Sequence, residues 1–219
     1  GERFDGHAYI NAALEGGAAG CFTQRERESY LPGKFYIKVD STQRALRDLA
    51  KYYKKKFPIP VVALTGSVGK TTTKDMVAAV LGEKYRVLKT EGNLNNEIGV
   101  PMTLLRLSGE HEIAVLELGM NHAGEIDYLS ALVEPDVVLM TNIGDSHIEH
   151  FGSREKILEA KSEIFHHVKS GAFVVINGDD PLLNTLPGKL PYAFTRVGAG
   201  EGLDYRAERL VSDGKSHMT

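Results

Sequence analysis

A short stretch rich in glycine and hydroxyl residues, T-G-S-V-G-K-T-T at 65–72, carries the residue types that bind phosphate groups. It follows an apolar run and precedes a segment with helical spacing, which is the context of a P-loop. Glycines let backbone N–H groups turn toward phosphate oxygens, and the helix N-terminus adds its positive dipole end. We therefore predict ATP-type nucleotide binding by the whole stretch: Thr65, Gly66, Ser67, Val68, Gly69, Lys70, Thr71 and Thr72.

Two residues of this stretch have the chemistry of phosphoryl transfer. Lys70 can reach the β- and γ-phosphates, and the Thr71 hydroxyl can bind Mg²⁺. The general pattern, G-x-x-x-x-G-K-[ST], places a glycine where this chain has Leu64. This shorter form disfavours ordinary GTPases and transport ATPases, as does the lack of an N-K-x-D motif in the sequence.

Polar residues follow two further strand-like runs. Glu117 lies near the end of I-A-V-L-E-L at 113–118, and a carboxylate beside a P-loop can hold its Mg²⁺ directly or through water. The alternative for Glu117 is a surface acid in a loop. His147 lies in T-N-I-G-D-S-H-I-E-H-F-G, and its position leaves a ligand role and a structural role equally open.

Lys161 and a group of asparagines each allow two interpretations. Lys161 lies among apolar residues at helical spacing, and sequence alone favours a side chain that extends to solvent along the core. The alternative is a buried lysine with a lowered pKa, available for covalent modification. Asn93, Asn95 and Asn96 suit a turn, and equally suit contact with an anionic substrate.

Strand-like runs and helical stretches alternate along the chain from residue 61. The runs are at 61–65, 86–90, 113–118, 136–142 and 173–177, and the helical stretches are near 69–82, 97–107, 124–133 and 153–168. Short apolar strands that alternate with helices predict an α/β fold with a parallel sheet covered on both faces. Ligands bind such sheets at the carboxyl ends of the strands, where the polar residues above are found.

A smaller α/β unit is predicted before this region, at 1–57, with the ATP-binding unit at 58–219. Asp40, with Gln43 three residues later, resembles a capping box that starts a helix. The lysines at 54–56 are predicted to form a solvated helix end. Pro58 and Pro60 then mark the boundary between the two units.

The bulk composition excludes several classes of protein. The net charge of −3 favours neither nucleic acid nor a membrane surface as a partner. No apolar run approaches the ~20 residues that span a bilayer. The single cysteine, Cys21, excludes an internal disulfide and suits a reducing compartment, so we expect a cytoplasmic protein.

Taken together, the motifs resemble the Mur ligases of peptidoglycan synthesis. The resemblance covers essentially the whole chain and is carried by TGSVGKTTTK, TEGNLNNEIGVPMTLL, LELGMNHAGEI, TNIGDSHIEHFGS and EAKSEIF. The second and third are most similar to the members that add D-Ala-D-Ala to UDP-N-acetylmuramoyl-tripeptide. GERFDGHAYINAALEGGAAG resembles the domain that holds the UDP-sugar, which sibling ligases share.

The resemblance implies roles for the residues singled out above. Thr71 and Glu117 would hold one Mg²⁺, and His147 would join Glu117 at a second, together with a carbamate on Lys161. Asn95 and Asn96 would lie near the γ-phosphate and the incoming carboxylate. The implied catalytic residues are Lys70, Glu117, His147 and Lys161.

The implied reaction is ATP-dependent amide formation through an acyl phosphate, by a monomer. Both predicted units would be incomplete, at the start of 1–57 and at the end of 58–219, and an amine-binding domain would be absent. We therefore expect the chain alone to be inactive. The alternatives are a sibling, either the tripeptide synthetase or folylpolyglutamate synthetase, and a non-catalytic nucleotide-binding regulator on the same scaffold.

Overall fold

The computed structural model describes residues 5–208, so the outermost parts of both predicted units, 1–4 and 209–219, lie outside the described residues. The described chain forms a two-stranded sheet and a seven-stranded sheet, and every strand pair in both is parallel. Within residues 5–208, no helix is long and apolar enough to cross a membrane.

The N-terminal part is a small α/β unit, as its mixed apolar and glycine pattern predicts. A 3-10 turn at Gly6–Tyr9 leads into helix α1 (Ile10–Glu15), which is followed by strands β1 (Gly20–Thr23) and β2 (Phe35–Lys38). Helix α2 (Thr42–Lys54) then leaves the unit and packs against later helices.

The start of α2 corrects the predicted capping box. Ser41, not Asp40, is the N-cap, because Ser41 has extended backbone and its hydroxyl accepts a 3.2 Å hydrogen bond from the Arg44 N–H. The Asp40 side chain is 97% exposed and lies 3.6 Å from the Arg44 guanidinium. The helix therefore begins one residue later than predicted.

The end of α2 corrects the predicted solvated lysine run at its first residue. Lys54 is buried, with 8% exposure, and its ammonium group donates to the Val133 carbonyl. Lys51 donates to the Ala131 carbonyl at 2.9 Å, so both lysines bind the C-terminal end of one later helix. Lys55 and Lys56 are exposed, as predicted.

The large sheet has the order β4-β5-β3-β6-β7-β8-β9. Its strands begin with β3 (Val61–Thr65), β4 (Val87–Lys89), β5 (Ile113–Glu117), β6 (Val137–Met140) and β7 (Phe173–Asn177). Two strands not predicted from the sequence follow, β8 (Phe194–Gly198) and β9 (Tyr205–Arg206). The strand β3 lies near the middle, so its carboxyl end meets loops from both sides.

Helices cover both faces of this sheet, which confirms the predicted fold class. Helix α3 (Lys70–Gly82) packs on the face that carries Val62 and Leu64. The other face carries Val61 and Ala63 and is covered by helices from four places in the chain. They are α2, α4 (Gly99–Leu104), α5 (Glu125–Val133) and α7 (Arg154–Ser162).

Two predicted helices are shorter than expected. The stretch 97–107 is helical only at Gly99–Leu104, because the Asn96 side chain accepts hydrogen bonds from the Ile98 and Gly99 N–H groups and starts the helix there. The stretch 153–168 divides into α7 and a 3-10 turn at Glu163–His167. A short helix α6 (Ile148–Phe151) precedes α7.

The predicted boundary at residue 57 stays a prediction. On its N-terminal side, Ala50 of α2 belongs to the same apolar cluster as the strands β3 and β5. The Tyr53 hydroxyl also donates a 2.9 Å hydrogen bond to the Leu107 carbonyl. Helix α2 is therefore part of the packing that supports the large sheet.

Candidate functional site

The phosphate-binding stretch forms the turn between β3 and α3 at the carboxyl edge of the large sheet. Gly66 has a φ of 152°, and a Cβ there would lie 1.9 Å from Oγ1 of Thr141. Gly69 has a φ of 80° and is the residue before the first turn of α3. Both positions therefore require glycine, one for close packing and conformation and the other for conformation.

The loop after β6 holds this turn in shape. Asn142 accepts hydrogen bonds from two N–H groups of the turn, at Ser67 through its carbonyl (3.0 Å) and at Val68 through its side chain (2.9 Å). The Thr141 hydroxyl donates to the Val68 carbonyl at 2.7 Å. Two of the predicted phosphate donors are therefore bonded to protein, and the N–H groups of the first turn of α3 stay available.

The side chain of Lys70 folds back over the turn. Its ammonium group donates to the carbonyl groups of Gly66 at 3.0 Å and Ser67 at 3.4 Å. Burial lowers the pKa of Lys70, and the negative charge of Glu117 acts in the opposite direction. Lys70 thus lies where a phosphate could replace the two loop carbonyls as its partner.

Glu117 is a buried carboxylate, with 1% exposure, at the carboxyl end of β5. Each of its oxygens accepts one hydrogen bond from a neutral side chain. The Thr71 hydroxyl donates to Oε2 at 3.0 Å, and the Asn95 amide donates to Oε1 at 2.8 Å. The structure thus brings together three of the predicted site residues, from β5, α3 and the loop before α4.

The three predicted asparagines take different positions. Asn95 contacts Glu117, whereas Asn96 accepts two N–H groups at the start of α4 and so has the turn role. Asn93 is exposed, and its carbonyl accepts the Asn95 N–H at 2.7 Å. Contact of these residues with a substrate stays a prediction.

Lys161 is the most unusual ionisable residue of the site. It is 1% exposed, and its ammonium group makes no hydrogen bond or ion pair with any residue in the range 5–208. Burial and the positive charge of Lys70 lower its pKa from 10.5 to about 7. The interpretation that the sequence alone favoured, a side chain that extends to solvent, is therefore wrong.

His147 lies near the same charges. Burial lowers its pKa, and so do the positive charges of Lys161 and Lys70. Its φ of 67° is left-handed backbone, which is strained for a residue with a Cβ. A group of three His, Cys, Asp or Glu side chains that could hold a metal ion is not present among the described residues.

Sequence reasoning did not identify the residues that support the site from the carboxyl ends of β6 and β7. Asp180 is buried and accepts the Ile143 N–H at 2.7 Å, and its other oxygen accepts the Leu182 and Leu183 N–H groups. Asn142 and Thr141 stand at the same edge. Thr141 and Asn142 are the last two residues of the predicted run at 136–142, and Asp180 comes three residues after the run at 173–177, so their position at strand ends was the available signal.

Comparison with known protein families and relatives gives a consistent result. The family model "Mur ligase middle domain" matches residues 64–218. The UDP-N-acetylmuramoyl-tripeptide–D-alanyl-D-alanine ligase of Bacillus subtilis is 50% identical over 220 residues, covering 100% of this chain and 48% of the relative. The Escherichia coli enzyme of the same name is 43% identical over 82% of this chain and 39% of its own length.

Solved structures agree with this. MurF from Acinetobacter baumannii has a TM-score of 0.84 at 39% identity, over 93% of this chain and 44% of that one. MurF ligase from Thermotoga maritima in complex with ADP has a TM-score of 0.82 at 38% identity, over 93% and 47%. Escherichia coli FolC, with a TM-score of 0.54 at 17% identity over 71% and 46%, shares the fold.

The chain spans about half the length of the relatives that it matches. The family match at 64–218 includes the phosphate-binding turn, the Thr71–Glu117 contact and most of the strands of the large parallel sheet. The chain belongs to the Mur ligase family.

Proposed function

We propose that this chain carries the ATP-binding centre of a ligase that joins D-Ala-D-Ala to UDP-N-acetylmuramoyl-tripeptide. The observation that carries the proposal is the 3.0 Å hydrogen bond between Thr71 of the phosphate-binding turn and the buried Glu117. Relatives named for this reaction are 50% and 43% identical to the chain, which supports this substrate pair over that of a sibling ligase. The proposed enzyme would act in the cytoplasm as a monomer.

The oxygen atoms at Thr71 and Glu117 fit a magnesium ion. A hydroxyl and a carboxylate 3.0 Å apart are the ligands that Mg²⁺ accepts beside nucleotide phosphates. When bound, Mg²⁺ would neutralise phosphate charge and so favour attack by a carboxylate. His147 and a modified Lys161 are proposed to join Glu117 as ligands of a second ion.

The chain's own residues supply the remaining electrostatics. The N–H groups at the start of α3 and the Lys70 ammonium group would bind the phosphates of ATP. The terminal carboxylate of the tripeptide would then attack the γ-phosphorus and release ADP, which leaves an acyl phosphate. The amine of D-Ala-D-Ala would displace phosphate from the acyl carbon, form the amide bond and lose a proton.

The burial of Lys161 supports carbamate formation at this residue. With a pKa of about 7, about half of the amine is neutral at pH 7, against about 3 in 10,000 for an ordinary lysine. Only the neutral amine adds CO₂. We expect ¹³C-bicarbonate to give the wild-type chain a carbamate signal in the NMR spectrum, besides that of the N-terminal amine, which is lost in the Lys161→Met variant.

The proposed reaction can be tested in a chimera. The 219 residues would replace the aligned segment of the Bacillus subtilis relative, because the two align over 100% of this chain. We expect phosphate release from ATP that requires both UDP-N-acetylmuramoyl-tripeptide and D-Ala-D-Ala, and its loss in Glu117→Gln. Release that ignores D-Ala-D-Ala but responds to another amine would favour a sibling, and nucleotide binding without turnover would favour a regulator.

A further inference from the structure

The loop between β4 and α4 is attached to the end of β5 at three points. The Thr90 hydroxyl accepts the Glu117 N–H at 3.0 Å, and the Asn95 carbonyl accepts the Gly119 N–H at 2.8 Å. The third point is the 2.8 Å hydrogen bond from the Asn95 amide to the Glu117 carboxylate. Glu117 is thus held by this loop through both its backbone and its side chain.

The space around Asn95 is shaped for its side chain. A Cβ at residue 119 would lie 2.8 Å from Cγ and Oδ1 of Asn95, which is closer than real atoms approach, and 3.0 Å from Nδ2, so the Asn95 side chain would have to shift. The backbone of Gly119 does not have a positive φ, so glycine is needed here for space and not for conformation. The glycine after the strand therefore provides the room in which the Asn95 amide reaches Glu117.

The two oxygens of Glu117 differ in their surroundings. Asn95 occupies Oε1, and the amide orientation is fixed because its oxygen would be repelled by the carboxylate. Oε2 faces the Thr71 hydroxyl at the start of α3, where phosphates would bind. Oε2 is therefore the oxygen that faces the nucleotide side.

We propose that Asn95 is a positioning residue, which holds Oε1 of Glu117 so that Oε2 is presented beside Thr71 to a divalent cation. This rests on the proposed function and assigns Asn95 a role different from direct contact with the γ-phosphate. Hydrogen-bonded partners of metal ligands fix the orientation of those ligands, and their loss weakens metal binding by about 10- to 100-fold. Gly119 contributes by leaving the space that this contact needs.

The test separates metal binding from nucleotide binding in the 219-residue chain. ADP affinity is measured by calorimetry in EDTA, and Mn²⁺ affinity of the ADP-bound chain is measured by electron paramagnetic resonance. The variants are Asn95→Ala, which removes the donor, and Gly119→Ala, which displaces it. Asn121→Ala is the matched control, because the Asn121 side chain makes no hydrogen bond to another residue in the described range.

We expect both test variants to weaken Mn²⁺ binding by about 10-fold or more, with ADP affinity in EDTA unchanged within about 2-fold. The control should match the wild type. Gly119→Ala keeps the amide and decides the question if Asn95→Ala fails to fold. Unchanged Mn²⁺ affinity in the variants would overturn the inference, as would an equal loss of ADP affinity in EDTA, which would instead put Asn95 on a phosphate. A wild-type chain that binds neither ADP nor Mn²⁺ would overturn the proposed function as well.

Discussion

Replacement of Lys161 by methionine should stabilise the fold at neutral and acidic pH. Lys161 is 1% exposed and makes no ion pair within the described residues, whereas methionine keeps an unbranched apolar side chain and removes the amine. A pKa of about 7 in the folded chain, against 10.5, corresponds to a penalty of about 5 kcal/mol when the amine is charged in both states. Relaxation around the charge reduces this, so we expect a gain of about 2 kcal/mol at pH 6.

The pH dependence gives the prediction a distinct signature. From about pH 7 to 10.5 the unfolded state holds the proton and the folded state does not, so the free energy of unfolding of the wild type rises with pH. The contribution of Lys161 to that slope approaches about 1.4 kcal/mol per pH unit. The advantage of the variant should therefore shrink between pH 7 and 9.

Urea unfolding at pH 6, 7, 8 and 9, in buffers free of CO₂, measures both effects. Lys156→Met is the matched control, since Lys156 lies on the same helix, α7, with an exposed side chain. We expect the control to change stability by less than about 0.5 kcal/mol at any of these pH values. A Lys161→Met variant that is no more stable than the wild type at pH 6, or whose advantage does not shrink with pH, would refute a buried, unpaired amine.

Further substitutions test the turn and the support of α2. Gly66→Ala places a Cβ 1.9 Å from Oγ1 of Thr141. It should abolish ADP binding measured by calorimetry and lower the free energy of unfolding by more than about 2 kcal/mol. The control Gly171→Ala, at positive φ in open space, should lower stability but keep ADP binding. Lys54→Met removes the buried ammonium group that donates to the Val133 carbonyl at the end of α5. It should lower the free energy of unfolding, measured by urea unfolding, by about 1–2 kcal/mol, whereas Lys55→Met should leave it nearly unchanged. Equal effects of the two lysine variants would contradict the buried contact.

Much of the architecture follows from local patterns. The run V-V-A-L-T at 61–65 and the helix start at Lys70 are found where the sequence predicts them, because an apolar strand, a glycine turn and a helix are each specified within a few residues. The strands β8 and β9 were missed. Their segments, F-T-R-V-G and Y-R, are only partly buried or exposed and lack the continuous apolar run of a central strand.

The site contacts could be predicted only in part, because they join residues distant in sequence. Glu117 is predictable as an acid at a strand end, whereas its partner Asn95 comes from 22 residues away and depends on the path of a loop. The burial of Lys161 likewise depends on what packs over α7, and helical spacing does not reveal that. The same holds for Lys54, whose acceptor is 79 residues away.

The balance of charge explains why these contacts matter together. Lys70 lies close enough to both Lys161 and His147 to lower their pKa values, so three basic groups share a partly buried space. The nearby carboxylate, Glu117, already accepts two neutral hydrogen bonds. A buried excess of basic groups is costly in an isolated protein. The cost falls if Lys161 is neutral or carries an anionic carbamate, or if phosphate binds Lys70, so the site is built to be completed by negative charge.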